Sequence, residues 1–247
     1  MRLDVVTLFP DLVKRISEFG VTGRAVENGL VDLRTWNPRD YAGDRHRTVD
    51  DRPYGGGPGM VMKVEPLRDA IRDAKASEDL QREVVFLSPQ GEAFTQDLAK
   101  EFVATPGLVL VAGRYEGVDE RLVEMEVDRE VSLGDFVISG GEIAALAIID
   151  AVTRLLPGAL GDDDSAAEDS FMHGLLDFPH YTRPEIVDGK RVPEVLLNGN
   201  HEAIRRWRLK HALGRTWLRR PDLIKMDLLD QEQKMLLEEF IAEQSSD

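Results

Sequence analysis

Three glycine-containing segments hold the residues whose types and spacing could bind a ligand. They are Val84–Phe94 (VVFLSPQGEAF), Leu108–Arg121 (LVLVAGRYEGVDER) and Ser132–Gly141 (SLGDFVISGG). Each contains or follows a run rich in Leu and β-branched residues, which is typical of a strand. Glycine lets the backbone turn sharply and come close to a ligand. Because the carboxyl ends of neighbouring parallel strands meet at one sheet edge, the three loops predict a single ligand-binding crevice.

A second candidate site is the basic segment His201–Pro221 (HEAIRRWRLKHALGRTWLRRP), which holds seven Arg or Lys residues and one Glu. The whole chain carries a formal net charge of −15, so this cluster is a local exception in an acidic protein. Clustered Arg and Lys residues on a helix are typical of contacts with nucleic-acid phosphates. An acidic partner or a membrane surface would also fit a basic helix. Trp207 and Trp217 lie among Arg residues without a wide apolar face, however, which disfavours a membrane.

The composition excludes several other classes of chemistry. The 247 residues include no cysteine, which excludes disulfide bonds, thiolate nucleophiles and cysteine-ligated metals. There is no run of about 18 apolar residues, so we expect no membrane span. His46 and His201 are too isolated to predict a metal site. We expect a cytoplasmic protein, because the chain lacks disulfides and starts with a strand-like segment instead of a signal peptide.

The elements that must position the three loops alternate along the chain. Strand patterns occur at Arg2–Leu8 and Val31–Trp36, and helical spacing of apolar residues occurs at Glu65–Ala76 and Gly141–Leu156. Alternation of this kind predicts an α/β fold with a mainly parallel sheet and helices on both faces.

The character of the sequence changes after Leu156. Gly161–Ser170 (GDDDSAAEDS) is small, polar and acidic, which predicts a flexible linker. The remainder has helical periodicity at Ala203–Leu213 and Leu223–Gln244 and no strong strand pattern. We therefore predict a ligand-binding domain over residues 1–160, a linker over 161–171 and a small all-helical domain over 172–247.

Longer motifs run in order through most of the chain, as far as about Pro221. They read DDRPYGGGPGM, FLSPQGEAF, AGRYEGVDER, SLGDFVISGGE, EDSF, LLDFPHYTRPE and NGNHEAIRRWRLKHALGRTWLRRP. Together they resemble the bacterial tRNA (guanine-N1-)-methyltransferases, a family of the SPOUT class. The resemblance implies S-adenosyl-L-methionine as methyl donor and N1 of the guanine at tRNA position 37, 3′ of the anticodon, as acceptor. It also implies a trefoil-knotted N-terminal domain, which is a rare topology, and a homodimer with the site between subunits.

The resemblance also implies roles for individual residues. Glu116 would lie on the methyl-donor side, where it could stabilise positive charge or help to hold Mg²⁺. The expected cofactor-binding residues, all in the three glycine-containing loops, are Leu87, Ser88, Pro89, Gly91, Gly113, Tyr115, Glu116, Ser132, Leu133, Gly134, Asp135, Phe136, Val137, Ile138, Gly140 and Gly141.

Two further residues match the catalytic positions of the family. Guanine N1 carries a proton that must leave before or during methylation, and a carboxylate within hydrogen-bond reach can remove it. Asp169, in the EDSF motif, matches the general base. Negative charge then spreads to O6, where a cation stabilises it, and Arg154 matches the residue in that role. Because Asp169 lies in the predicted linker, residues 161–171 would close as a lid when tRNA binds.

The last implied site is the contact with the anticodon stem-loop of tRNA, for which the C-terminal domain is expected to supply Arg183, Asn200, His201, Arg205, Arg208, Lys210, Arg215 and Arg220. Three alternatives stay open. One is a SPOUT enzyme that methylates ribose 2′-O or another base, which Asp169 disfavours. Another is a non-catalytic RNA-binding factor. The third is a metabolite-binding α/β enzyme, which the basic segment His201–Pro221 disfavours.

Overall fold

The computed structural model describes residues 1–161 and 168–245. The chain forms two compact units, Met1–Asp163 and Asp164–Asp247. Of the predicted linker over 161–171, residues 162–167 lie outside the described part of the chain. Within the described ranges, no helix is both long enough and apolar enough to cross a lipid bilayer.

The first unit is built on a five-stranded sheet. The strands of the whole unit are β1 (Arg2–Val6), β2 (Asp32–Trp36), β3 (Asp50–Asp51), β4 (Val61–Met62), β5 (Glu83–Ala93), β6 (Gly107–Ala112) and β7 (Arg129–Ser132). Its helices are α1 (Pro10–Lys14), α2 (Gly20–Glu27), α3 (Val64–Ala76), α4 (Gln96–Val103), α5 (Glu120–Glu126) and α6 (Gly141–Thr153). The sheet order is β2-β1-β6-β5-β7 with every pair parallel, and β3 and β4 form a separate antiparallel pair.

Side-chain alternation along the strands divides the apolar core between the two faces of this sheet. On β6, Leu108 and Leu110 join a cluster with residues of α1, α2, α4 and α6. Val109 and Val111 point the other way and join residues of α3 and α5. Burial on both faces explains why β6 is an unbroken apolar run in the sequence. The predicted parallel sheet with helices on both faces is confirmed.

The first glycine-containing segment differs from the predicted strand, loop and helix in succession. β5 extends through it to Ala93, and its pairing with β7 shifts register between Leu87 and Glu92, which both pair with Val131. The residues between them bulge out of the ladder, as extra residues in one strand must. A Cβ atom on Gly91 would overlap the backbone of Glu130 and Val131, so glycine is required where the bulge returns to β7.

Buried charges near the start of β1 bind the sheet to the chain around it. The Asp4 carboxylate is fully buried and accepts hydrogen bonds from the guanidinium groups of Arg2 (3.0 Å) and Arg82, both almost fully buried. It also accepts one from the indole nitrogen of Trp36 (2.7 Å). Two buried cations therefore depend on a single buried anion.

We expect Asp4→Asn to lower the free energy of unfolding by about 3 kcal/mol, because Arg2 and Arg82 would lose their buried countercharge. Urea denaturation measures the loss. Asp32→Asn is the matched control, since Asp32 bonds the same Arg2 but is half exposed; it should cost about 1 kcal/mol or less. Equal losses of unfolding free energy in the two variants would show that burial of the Asp4 carboxylate adds nothing to its contribution.

The second unit packs two helices against each other, α7 (His201–Arg219) and α8 (Gln231–Gln244). Leu213 of α7 and Leu236 and Leu237 of α8 form the buried centre of the contact. Gly214 allows the close approach, because a Cβ atom there would overlap the ring of Phe240.

The prediction that the second domain is all-helical is wrong. Ile186–Val187 (β8) and Lys190–Arg191 (β9) form an antiparallel hairpin. At its turn, Asp188 and Gly189 adopt φ values of 50° and 79°, the left-handed conformation that an Asp-Gly hairpin turn requires. The dipeptide was a visible turn signal, but strands of two residues are too short to show an alternating pattern.

Candidate active site

The three glycine-containing segments meet around one cavity of about 360 Å³ in the first unit. It lies at the carboxyl ends of β6 and β7 and at the bulge of β5, the strand between them in the sheet. Of the residues predicted to bind cofactor, all but Gly91 and Asp135 line it: Leu87, Ser88, Pro89, Gly113, Tyr115, Glu116, Ser132, Leu133, Gly134, Phe136, Val137, Ile138, Gly140 and Gly141. Gly91 instead packs against β7, and Asp135 is exposed on the third loop.

Close backbone contact holds the second and third loops together. The amide of Gly141, at the start of α6, donates to the carbonyl of Gly113 just after β6 (2.9 Å). A Cβ atom on Gly141 would lie 2.7 Å from Ala112 Cα, and one on Gly113 would lie 2.8 Å from the ring of Phe86. The first contact could be relieved only by moving the backbone, and the second only by shifting the buried Phe86 ring, so both positions favour glycine for packing.

The second loop is also fixed from the side of β4. The amide of Glu116 donates to the carbonyl of Met60 (3.0 Å), and the amide of Met62 donates to the carbonyl of Gly117 (2.9 Å). Gly59 lies directly against the Glu116 side chain, with no room for a Cβ atom. The end of the DDRPYGGGPGM motif thus packs on a carboxylate that lines the cavity.

A buried ion pair at the cavity was missed from the sequence. Arg114 lines the cavity, and its Nε donates to Glu142 Oε2 (2.7 Å) while its Nη1 donates to the carbonyl of Ser139 (3.1 Å). Glu142 is fully buried in the first turn of α6 and also accepts from the Thr7 hydroxyl (2.8 Å). A signal was present, since a Glu beside the apolar run Ile143–Ile149 must have a partner if the helix is buried.

The basic segment forms α7, and acidic residues of α8 pair with three of its cations. Arg205 bonds Glu232 (2.6 Å) as well as Glu202 of its own helix (2.8 Å). Arg206 bonds Glu239 (2.5 Å), and Lys210 bonds Glu243 (2.7 Å). The hydrogen bond from Arg205 lowers the pKa of Glu202, and the same bond raises the pKa of Arg205. The face of α7 toward α8 is therefore largely neutralised.

The other predicted RNA-binding residues have varied surroundings in this unit. Asn200 is the N-cap of α7, and its side chain accepts from the Ala203 amide (3.2 Å). Arg208 stacks on the Phe178 ring at 4.8 Å, and Arg220 bonds Asp222. Of the remainder, Arg183 and His201 are exposed and Arg215 is half buried.

Residues 1–226 match the family model described as tRNA (Guanine-1)-methyltransferase TrmD. The chain belongs to this family. A protein named tRNA (guanine-N(1)-)-methyltransferase from Methylococcus capsulatus is 63% identical over 243 residues, covering 98% of this chain and 97% of the relative. A protein of the same name from Halorhodospira halophila is 61% identical, covering 98% of this chain and 92% of the relative. Another from Shewanella sediminis is 60% identical, covering 98% of this chain and 100% of the relative. The resemblance seen in the motifs is confirmed. The chain is a methyltransferase, and its family implies the use of S-adenosylmethionine.

Within this family assignment, the two predicted catalytic residues lie in different units. Arg154 follows α6 in the first unit, is half buried and donates its backbone amide to the Asp150 carbonyl (3.1 Å). It is not among the residues that line the cavity. Asp169 is half buried in the second unit, where its carbonyl accepts from the Met172 amide (3.2 Å). Within residues 1–161 and 168–245, no three His, Asp or Glu side chains are grouped so as to hold a metal ion.

Backbone strain at the cavity generates a prediction for Tyr115, which has a left-handed φ of 61°. Tyr115→Ala and Tyr115→Gly both remove the ring, but only glycine adopts this conformation without cost. We expect the Gly variant to be about 1 kcal/mol more stable than the Ala variant. Chemical denaturation of both variants makes the comparison, and equal stabilities would show that the conformation is not strained.

Proposed function

We propose that this chain transfers the methyl group of S-adenosylmethionine to N1 of the guanine at position 37 of tRNA. The proposal rests on the glycine-containing cavity formed by the carboxyl ends of β6 and β7 and the bulge of β5, in a chain 63% identical to a tRNA (guanine-N(1)-)-methyltransferase. The basic helix α7 supports an RNA substrate over a small metabolite.

The residues around the cavity suit S-adenosylmethionine in size and charge. A volume of about 360 Å³ is in the usual range for a small-molecule site. Glycine at 113, 140 and 141 places no side chain there that would keep an adenine or a ribose away from the main chain. The cavity is lined by the carboxylates of Glu116, Glu120 and Glu130, while the Arg114 cation is neutralised by Glu142. When bound, S-adenosylmethionine supplies an electrophilic methyl group on a cationic sulfur, which these acids attract.

In this proposal Asp169 and Arg154 perform the proton and charge chemistry on the guanine. The Asp169 carboxylate takes the N1 proton, which frees the N1 lone pair for bond formation with the methyl carbon. S-adenosylmethionine, when bound, would supply this methyl carbon, and the electron pair of its carbon–sulfur bond would stay on sulfur. The Arg154 guanidinium stabilises the negative charge that reaches O6 as N1 loses its proton. Both assignments rest on the motif resemblance.

The proposal includes a homodimer with the site between subunits. Support comes from apolar side chains that are exposed beside the cavity. Val137, on the third loop, is 92% exposed, and Ile143, on α6, is 50% exposed. Apolar residues grouped in this way are typical of a protein interface. A second copy of the chain would cover them and would allow Arg154 of one subunit to meet Asp169 of the other.

We also extend the trefoil knot of the family to the first unit, where β6 lies between β1 and β5 in the sheet. Residues 172–247 would bind tRNA and residues 161–171 would close over the site, in the cytoplasm where tRNA is found. Glu116 is the one candidate ligand for Mg²⁺. It belongs to no metal-binding group among the described residues, and the proposed mechanism includes no metal-dependent step.

The decisive experiment is mass mapping of tRNA incubated with the protein and labelled S-adenosylmethionine. We expect a single new methyl group on the guanine at position 37. Asp169→Asn should lower the rate of transfer by about a hundredfold or more, because the general base is lost, while calorimetry shows nearly unchanged cofactor affinity. Asp188→Asn, in the hairpin turn, is the matched control and should retain full activity. A methyl group on a ribose or on another base would overturn the proposal.

The pairing of α7 with α8 predicts that acidic residues limit tRNA affinity. Changing Glu232, Glu239 and Glu243 together to Gln would release Arg206 and Lys210 for phosphate contacts and would leave Arg205 paired only with Glu202 of its own helix. We expect tighter tRNA binding and a steeper salt dependence, with the slope of log K against log salt becoming more negative by up to about 2. Binding titrations over a range of salt concentrations measure both quantities.

Glu238→Gln is the control for a general change in net charge, because Glu238 is exposed on the same helix and has no ion pair among the described residues. The prediction fails if the change in binding free energy caused by the triple variant is no more than three times the change caused by Glu238→Gln.

A further inference from the structure

We propose that Arg114 is a positioning residue that fixes the third glycine-containing loop in the shape that binds S-adenosylmethionine. The inference rests on the proposed function of the cavity. It assigns a role to the ion pair Arg114–Glu142, which the chemistry of methyl transfer does not use.

Arg114 is placed where it can join three separate parts of the chain. It follows β6, at the carboxyl end of the strand. Its Nε bonds Glu142 Oε2 (2.7 Å), at the start of α6, and its Nη1 bonds the carbonyl of Ser139 in the third loop (3.1 Å). Through Glu142 it is linked to Thr7, after β1 (2.8 Å). The guanidinium also lies 4.4 Å from the centroid of the Phe9 ring.

The pair is held firmly because its anion has no access to water. Glu142 is fully buried, and both of its carboxylate oxygens accept hydrogen bonds, one from Thr7 and one from Arg114. Leaving a buried charge without its partner is strongly unfavourable. Arg114 therefore has one strongly preferred position, and the Ser139 carbonyl that it bonds is fixed with it.

The third loop has few other anchors near this point. Its residues Phe136 and Val137 are exposed, and Gly140 lies directly against the Arg114 side chain. A Cβ atom on Gly140 would overlap the guanidinium, although the φ of 170° is open to any residue. The absence of a side chain at position 140 thus makes room for the Arg114 anchor as well as for a ligand.

The test compares variants of the full-length protein by calorimetry with S-adenosylmethionine and with its product S-adenosylhomocysteine, which lacks the sulfonium charge. We expect Arg114→Ala to weaken the binding of both by about tenfold or more, because the loop loses its anchor. The KM for S-adenosylmethionine should rise by a similar factor, with kcat at saturation much less affected. Arg114→Lys should recover part of the affinity, since a lysine can still pair with Glu142.

Arg72→Ala is the control for a general loss of stability. Arg72 also pairs with a buried carboxylate, that of Glu126 (2.6 Å), but neither residue lines the cavity. This variant should lower the melting temperature as Arg114→Ala does, without a change in cofactor affinity.

A double-mutant cycle tests whether position 140 acts through Arg114. Gly140→Ala alone should weaken cofactor binding, and the double variant with Arg114→Ala should be no weaker than the worse single variant. Additive effects would show that the new methyl group blocks the cavity directly and would contradict this step.

The outcomes separate this inference from the proposed function. If the unaltered protein fails to bind S-adenosylmethionine, the proposed function is wrong. If it binds but Arg114→Ala loses stability without losing affinity, the proposed function stands and the positioning role of Arg114 is overturned. Tighter binding of S-adenosylmethionine alone would also overturn it, because removal of a cation by itself favours the sulfonium ligand and would indicate an electrostatic effect in place of an anchored loop.

Discussion

Close approach of backbone to backbone is the constraint on which the candidate site depends. At the carboxyl edge of the sheet, α6 begins within hydrogen-bond distance of the residue that ends β6, and the contact between Gly141 and Gly113 leaves no room for a side chain. The same holds where Gly91 returns to β7. Three chain segments therefore converge at the cavity, and glycine is required at the points where they touch.

Some charged residues of this chain form buried ion pairs that stabilise the fold, and others lie at the candidate binding sites. Asp4 and Glu142 are fully buried, and each is matched by guanidinium groups, so neither contributes to the field outside. The carboxylates of Glu116, Glu120 and Glu130 border the cavity and give it a negative character. On α7 the cations toward α8 are matched by glutamates. A net charge of −15 is thus compatible with binding a polyanion, because the local arrangement decides.

Much of the fold could be predicted from the sequence, because its signals are local. The unbroken apolar run of β6 and the helical spacing of α3 reflect burial that each segment experiences along its whole length. The loops that form the cavity were predictable because glycine recurs in or just after three successive strands, where the chain turns or approaches another segment closely. The family could be recognised because the motifs are long and ordered.

What could not be predicted depends on contacts between distant residues. The irregular pairing of β5 is set by Gly91 against β7, and the partner of Glu142 lies 28 residues away on another loop. The hairpin that begins at Ile186 has strands too short to show an alternating apolar and polar pattern. The neutralisation of α7 comes from α8, a segment whose helical periodicity the sequence shows without indicating which residues it pairs with. Roles for Asp169 and Arg154 came from resemblance, since a single Asp or Arg carries no signal of its own.

The bulge in β5 has a consequence for how this site can change over time. Leu87 and Glu92 both pair with Val131, so the ladder on either side is complete without the four residues between them. The length of that bulge is not fixed by the sheet. Insertions or deletions there would reshape one wall of the cavity while leaving the strand register intact. The shape of the pocket, and with it the ligand that fits, can therefore change in evolution without a change in the sheet that supports it.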